Sequence, residues 1–299
     1  MIIITEGYGQ LGNRLILYSN FILFSKEHNL KIFNPPFVDY ANHFKGSASN
    51  FIPQFPSGKQ NKKVKNGKFK KKFFRIFLKL ISYLLYAFPI KTRLISTINC
   101  DSKKYKDLTH YRLDVKEFIE ELTYSKITFV KGWKFRDRTN FLKHYKALKE
   151  YFEPIDKYKE NITPFIQNIK KESDTLIGVH IRRGDYKEFA DGKFYYSDEV
   201  YVNFMKQMKE LLPSKKIKFL ICSDEKIDEE KFRKQNLDVK TGIGSFIEDL
   251  YSLAECDYII GPPSTYNYWA ALYSQIPHKY LNSKDDVLKL EDFKLPDIL

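Results

Sequence analysis

From residue 174 onward, short apolar runs alternate with helical patterns, and this alternation constrains the fold more than any other feature of the chain. Strands are expected at 176–181, 217–222, 237–241 and 258–261, with helices at 198–212, 228–236, 245–256 and 264–274. Four strands separated by helices form a parallel sheet, because each helical crossover carries the chain back to the edge from which it started. The first run, Asp174-Thr-Leu-Ile-Gly-Val-His-Ile181, is apolar enough to lie buried between helical layers. Open sheets of this kind bind ligands outside the carboxyl ends of their strands.

Three of those strand ends carry polar clusters. After the first strand come His180, Arg182, Arg183 and Asp185, within Val179-His-Ile-Arg-Arg-Gly-Asp-Tyr186. A planar guanidinium with five donors grips a diphosphate bidentately and neutralises charge building on a leaving group. The alternative is a surface Arg–Asp ion pair. After the second strand, Ser223-Asp224-Glu225 offers Asp224 to a base or ribose hydroxyl, although the same triplet signals a helix start. After the fourth, Gly261-Pro-Pro-Ser-Thr265 runs into a helix, where Ser264 and Thr265 either cap the helix or line a phosphate site. All three clusters fall on one sheet edge, which favours a nucleotide.

The N-terminus reads as strand 2–5, glycine loop Glu6-Gly-Tyr-Gly-Gln-Leu-Gly-Asn13, helix 14–29 and strand 30–33, a Rossmann-like opening. Gly7, Gly9 and Gly12 have the spacing GxGxxG, but Asn34-Pro35 stands where an acidic ribose partner is expected, so the loop alone does not specify a dinucleotide. Glu6 and Asp39 are the N-terminal carboxylates available to accept a proton from a substrate hydroxyl; either could instead be structural.

A chain of 299 residues with 43% hydrophobic content suggests two globular domains. Its net charge of +14 is local. Of 51 basic side chains, 13 lie between residues 45 and 100, where there is no acid, and the other 38 face 37 acidic ones. A spread footprint for nucleic acid is therefore absent, and nucleic acid is not an expected partner. The stretch 45–100 looks inserted. Residues 47–68 read as a mobile loop, and 69–88 read as a basic-then-apolar helix that either lies in an anionic membrane interface or packs on its own domain. Cys100, Cys222 and Cys256 are odd in number and widely spaced, as expected of reduced thiols in a cytoplasmic protein, and no signal segment or membrane span is apparent. The domain crossover is expected within 151–173, where Pro154 and Pro164 interrupt the helical period.

The string VHIRRGDY resembles the HxRRxD motif shared by α1,2-, α1,6- and protein O-fucosyltransferases. The whole chain is most similar to the bacterial α1,2-fucosyltransferases of glycosyltransferase family 11. Gly9-Gln-Leu-Gly-Asn13 resembles that family's GGLGNQ opening, and the stretch from Asp249 to Ala270 resembles its DLxLMSxCxxxIxSxSTFSWWA block. The resemblance implies an α/β fold of GT-B type, with two Rossmann-like domains facing across a cleft: 1–155 for the acceptor, with the basic insertion at 45–100, and 156–299 for the nucleotide sugar. It implies inverting, metal-independent transfer of L-fucose from GDP-fucose to O2 of galactose in an oligosaccharide or lipid-linked glycan, without a cofactor. Arg182 would bind the β-phosphate, His180 and Asp224 would face guanosine, Ser264 and Thr265 would line the diphosphate, and Asp185 would orient the arginines. Arg183 and the loop residues Gly9, Gly12 and Asn13 complete the implied donor set. Gln10 and Arg14, and Tyr266-Asn267-Tyr268-Trp269, depart from the family's pattern, so a different sugar on GDP, transfer from another nucleotide sugar, and non-catalytic nucleotide or glycan binding are the alternatives.

Overall fold

The computed structural model describes residues 1–58, 76, 80, 81, 83–88 and 90–297. The chain divides into two compact units, Met1–Ile155 and Asp156–Pro296.

The first unit is built from β1 (Ile2–Ile4), α1 (Leu11–His28), β2 (Ile32–Phe33), β3 (Gln54–Phe55), β4 (Ile95–Asn99), β5 (Tyr111–Arg112), α2 (Lys116–Thr123), β6 (Ile127–Lys131), β7 (Phe135–Arg136) and α3 (Phe141–Tyr151). Its main sheet has the order β3-β2-β1-β6-β4, parallel except where β3 meets β2. Helix α1 begins at Leu11 rather than at residue 14, so Gly12 and Asn13 lie in its first turn instead of in a loop. Leu15, Ile16, Tyr18, Phe21, Ile22, Leu23 and Phe24 are all buried, because α3 and β7 cover the side that the sheet does not.

The stretch 45–100 is not a simple insertion. Its near end supplies β3 and its far end supplies β4, both strands of the main sheet, while Ser47 and Asn50 are buried. Polar composition concealed these segments: the Ser47 hydroxyl donates to the Ala41 carbonyl at 2.7 Å, and the Asn50 amide donates to the Gly46 carbonyl at 3.2 Å. Residues 59–68 of the expected loop, and most of the basic part of the expected helix, lie outside the described residues. Residues 83–87 are helical, and Tyr86 reaches Thr5 at the end of β1 with its hydroxyl at 3.0 Å.

The second unit contains α4 (Asp156–Lys170), β8 (Thr175–Ile181), α5 (Asp198–Leu211), β9 (Ile217–Ser223), α6 (Glu229–Arg233), β10 (Val239–Thr241), α7 (Phe246–Leu253), β11 (Tyr258–Gly261), α8 (Thr265–Ser274) and β12 (His278–Tyr280). Pro164 lies inside α4 and does not end it. Ile162, Ile166 and Ile169 are buried along that helix, and their packing outweighs the hydrogen bond that the proline ring removes. The sheet is wholly parallel with the order β10-β9-β8-β11-β12, which includes one strand, β12, more than the sequence suggested. Every residue of β8 is buried at the centre of this sheet. The chain steps outward from β8 to β10, then crosses back to β11 on the other side. The β8/β11 boundary is thus a topological switch point, where a crevice opens between the crossovers.

Candidate active site

The polar clusters expected at three strand ends belong to β9, β8 and β11, which are adjacent in the sheet. At its centre the Arg182 guanidinium is held by two carboxylates: Nη2 lies 2.7 Å from Asp185 and Nη1 lies 2.9 Å from Asp224. Its remaining surface lies over the Tyr186 ring at 5.6 Å. A guanidinium fixed on three sides loses little rotamer freedom when an anion arrives. Gly184 makes the clamp possible. It has φ 22°, and a Cβ there would stand 2.6 Å from an Asp224 oxygen, so only glycine lets that carboxylate lie against the arginine turn.

Two of the residues expected to bind the donor have partners within the protein. Asp224 was expected to face a nucleoside, but it uses one oxygen on Arg182 and the other on the Arg183 backbone N–H at 2.8 Å. It organises the loop. Arg183, expected among the donor-binding groups, pairs with Asp198 at the start of α5 at 2.5 Å and lies over Tyr195 and Tyr201. It is a buried strut between β8 and α5, because the residue after an outward-facing position on a strand end points the other way.

On the β11 side, the Ser264 hydroxyl accepts from the Tyr266 N–H at 3.3 Å and caps α8, so Thr265 is the first helical residue. The loop before it is fixed from both sides. Asn267 donates to the Pro262 carbonyl at 3.0 Å, and Tyr186 from the arginine turn donates to the Pro263 carbonyl. This ties the Arg182 turn to a helix N-terminus whose N–H groups favour negative charge.

His180 is buried at the end of β8, and its ring stacks on Tyr266 with centroids 5.0 Å apart. Burial, reinforced by the Arg182 charge, lowers its pKa to about 3, so the imidazole is neutral near pH 7. Its Nδ1 is buried with no hydrogen-bond partner among the described residues. An orphaned buried nitrogen beside a phosphate-type site is suited to a ligand's hydrogen bond.

Sequence reasoning assigned no role to Asp249 or Tyr266. The Asp249 side chain, on α7, accepts from the Gly244 N–H at 3.0 Å in the loop after β10, and Tyr266 donates to the Phe246 carbonyl at 2.7 Å. The available signal was the position of Asp249 at the head of a family-like block. Burial pushes its carboxyl up to about 6, against the pull of the Gly244 and Ile243 N–H groups. A carboxyl whose folded pKa is raised contributes stability that is full below about pH 4 and lost as pH rises through 6. Holding a carboxyl at about 6 rather than in the usual carboxylate range disfavours its charged form by roughly 3 kcal/mol. Asp249→Asn, which keeps an acceptor oxygen, is therefore expected to melt several degrees above the unsubstituted protein at pH 7.5. The gap should narrow at pH 5, as read by differential scanning fluorimetry.

The sequence matches the model of glycosyl transferase family 11 over residues 65–289, three quarters of its length. The chain belongs to that family. No curated protein sequence matches it, but solved structures do. A FUT1 mutant from Arabidopsis thaliana in complex with GDP is 10% identical with a TM-score of 0.58, covering 98% of this chain and 73% of that one. The fucosyltransferase NodZ from Bradyrhizobium is 13% identical with a TM-score of 0.52, covering 96% and 97%. POFUT1 in complex with GDP-fucose is 8% identical with a TM-score of 0.50, covering 92% and 93%. At these identities the likeness establishes a shared fold, of GT-B type, and the family establishes a glycosyltransferase.

In the first unit of this glycosyltransferase, Gly9 adopts φ 54°, and a Cβ there would stand 2.0 Å from the Asn13 amide, so the loop closes over that side chain. Glu6 follows β1 and pairs with Lys131 at the end of β6 at 3.0 Å. It also lies 3.0 Å from the Tyr8 hydroxyl, which is 3.1 Å from Asp101. Asp39 pairs with Arg14 at 3.5 Å. Cys100, Cys222 and Cys256 are buried free thiols. Among the described residues no helix is long and apolar enough to cross a membrane.

Proposed function

We propose that the protein transfers L-fucose from GDP-fucose to a hydroxyl of a glycan acceptor, with inversion and without a metal or other cofactor. The observation that carries this reading is the Arg182 guanidinium held by Asp185 and Asp224 at the switch point of the second sheet, tied through Tyr186 to the N-terminus of α8. Membership of a glycosyltransferase family supports it, as do solved fucosyltransferases of the same fold that hold GDP or GDP-fucose.

In the reaction the bond between the anomeric carbon and the β-phosphate oxygen breaks, and its electron pair stays with GDP. Arg182 stabilises the charge gathering on that phosphate, and the α8 N-terminus with Ser264 and Thr265 stabilises the rest of the diphosphate. Neutral His180, stacked on Tyr266, receives the base. The acceptor hydroxyl attacks the opposite face of the sugar and gives up its proton as the new bond forms, which inverts the anomeric centre. The two carboxylates proposed for that proton are Glu6, which follows β1 and pairs with Lys131 at 3.0 Å, and Asp39, which pairs with Arg14 at 3.5 Å. Galactose O2 in an oligosaccharide or lipid-linked glycan is the proposed acceptor, after the bacterial α1,2-fucosyltransferases that the chain resembles.

Assays of hydrolysis and transfer with a panel of GDP-, UDP- and dTDP-sugars test this. Turnover of GDP-fucose above the others supports it, and selective turnover of a donor with another base would overturn it.

Peripheral contact with an anionic membrane is part of the proposal, supported by Ile76, Leu80, Tyr83, Leu84 and Phe88, each more than half exposed. Deleting 47–88 would remove β3, so point changes are the better test. The double substitution Leu80→Glu, Leu84→Glu is expected to weaken co-sedimentation with phosphatidylglycerol vesicles at least fivefold, with the melting temperature unchanged. Equal binding by both proteins would contradict the contact.

A further inference from the structure

The segment that follows the arginine clamp leaves the sheet edge in two short 3₁₀ turns, Gly184–Lys187 and Phe189–Gly192. In the second, Ala190 has φ 51° and ψ 42°, Asp191 has φ 55° and ψ 35°, and Gly192 has φ 73°. Three successive left-handed residues, two of them bearing a Cβ, make a strained backbone, and such strain persists where the surroundings or the function require the shape it gives. The turn displays Phe189, which is 52% exposed.

A single exposed ring is ordinary, but this one is held in place. Its centroid is 5.1 Å from that of Tyr186 and 6.4 Å from that of Phe194. Tyr186 is in turn the ring beneath the Arg182 guanidinium, and its hydroxyl is tied to Pro263. One tyrosine therefore separates an exposed, fixed aromatic face from the arginine that would grip the β-phosphate. The sugar of a nucleotide sugar bound there would hang on that phosphate, on the arginine that the Tyr186 ring joins to Phe189.

We infer that Phe189 is the apolar wall of the pocket for the transferred sugar, packing against the C6 methyl of a 6-deoxy hexose and selecting it over the 6-hydroxy sugar. The inference rests on the proposed GDP-linked donor. A hydroxyl added at C6 would be pressed against a hydrocarbon face with no partner, while a methyl gains contact there.

GDP-L-galactose differs from GDP-L-fucose only by that hydroxyl, so competition between the two donors tests the assignment in the full-length protein. The unsubstituted protein is expected to favour GDP-fucose in kcat/KM by about tenfold or more, as one group in an apolar pocket allows. Phe189→Ala should reduce the preference to threefold or less, with the Kd for GDP and the melting temperature unchanged, and Phe189→Leu should restore part of it. If the variant keeps the preference, or loses rate equally on both donors, the assignment of Phe189 is overturned while the donor reading stands. If the unsubstituted protein neither binds GDP nor turns over either donor, the donor reading fails and this inference falls with it.

Discussion

Arg182→Ala is expected to lower kcat for fucose transfer by 100- to 1000-fold. Removing one preorganised group from developing oxyanion charge costs on the order of 3–4 kcal/mol in barrier, and Arg182 is preorganised by Asp185, Asp224 and the Tyr186 ring. Arg182→Lys should recover little, because an ammonium cannot span two carboxylates and still present a planar fork to a phosphate. The loss should fall on kcat more than on KM, since charge builds on the phosphate only as the glycosidic bond breaks. Steady-state kinetics on a variant with a native circular dichroism spectrum decide this. A loss below fivefold would remove Arg182 from the reaction.

Asp224→Ala should be nearly as damaging, and through two links at once. It leaves the Arg183 N–H without its acceptor and Arg182 without one of its two clamps. An unpaired buried donor costs about 1–3 kcal/mol. Asp224 is partly exposed, so the lost ion pair adds less than a fully buried pair would, and a total of about 2–3 kcal/mol is expected in chemical denaturation. Activity should fall about 10- to 100-fold. Asp224→Asn keeps an acceptor for the Arg183 N–H and is expected to regain most of the stability but little of the activity, because the charge that fixes Arg182 is gone. Full activity in Asp224→Asn would show that the clamp is structural only.

The parallel sheet of the second unit was legible because most of its strands are nearly continuous apolar runs and its helices begin at Asp198 or directly after Asp228, Ser245 and Ser264. Strand β12 was not, since His-Lys-Tyr has neither apolar continuity nor strict alternation and becomes a strand only by pairing with β11. Strands β3 and β4 hid in a basic stretch for the same reason. Arg182 and Asp185 could be read as partners because they stand only three positions apart. The Arg183–Asp198 pair could not, because a turn of unusual backbone shape brings those residues together. Asp249 and Tyr266 were silent because their significance lies in burial and in the backbone groups they meet across the fold, which no local pattern encodes.

In the proposed reaction Arg182 receives the β-phosphate of a guanosine nucleotide. A crystal structure of the protein soaked in GDP tests it most directly. Density for a β-phosphate oxygen is expected within hydrogen-bond distance of the Arg182 guanidinium, with the base beside His180. GDP bound away from the β8/β11 strand ends, with Arg182 still engaged by Asp185 and Asp224 and no phosphate against it, would contradict it.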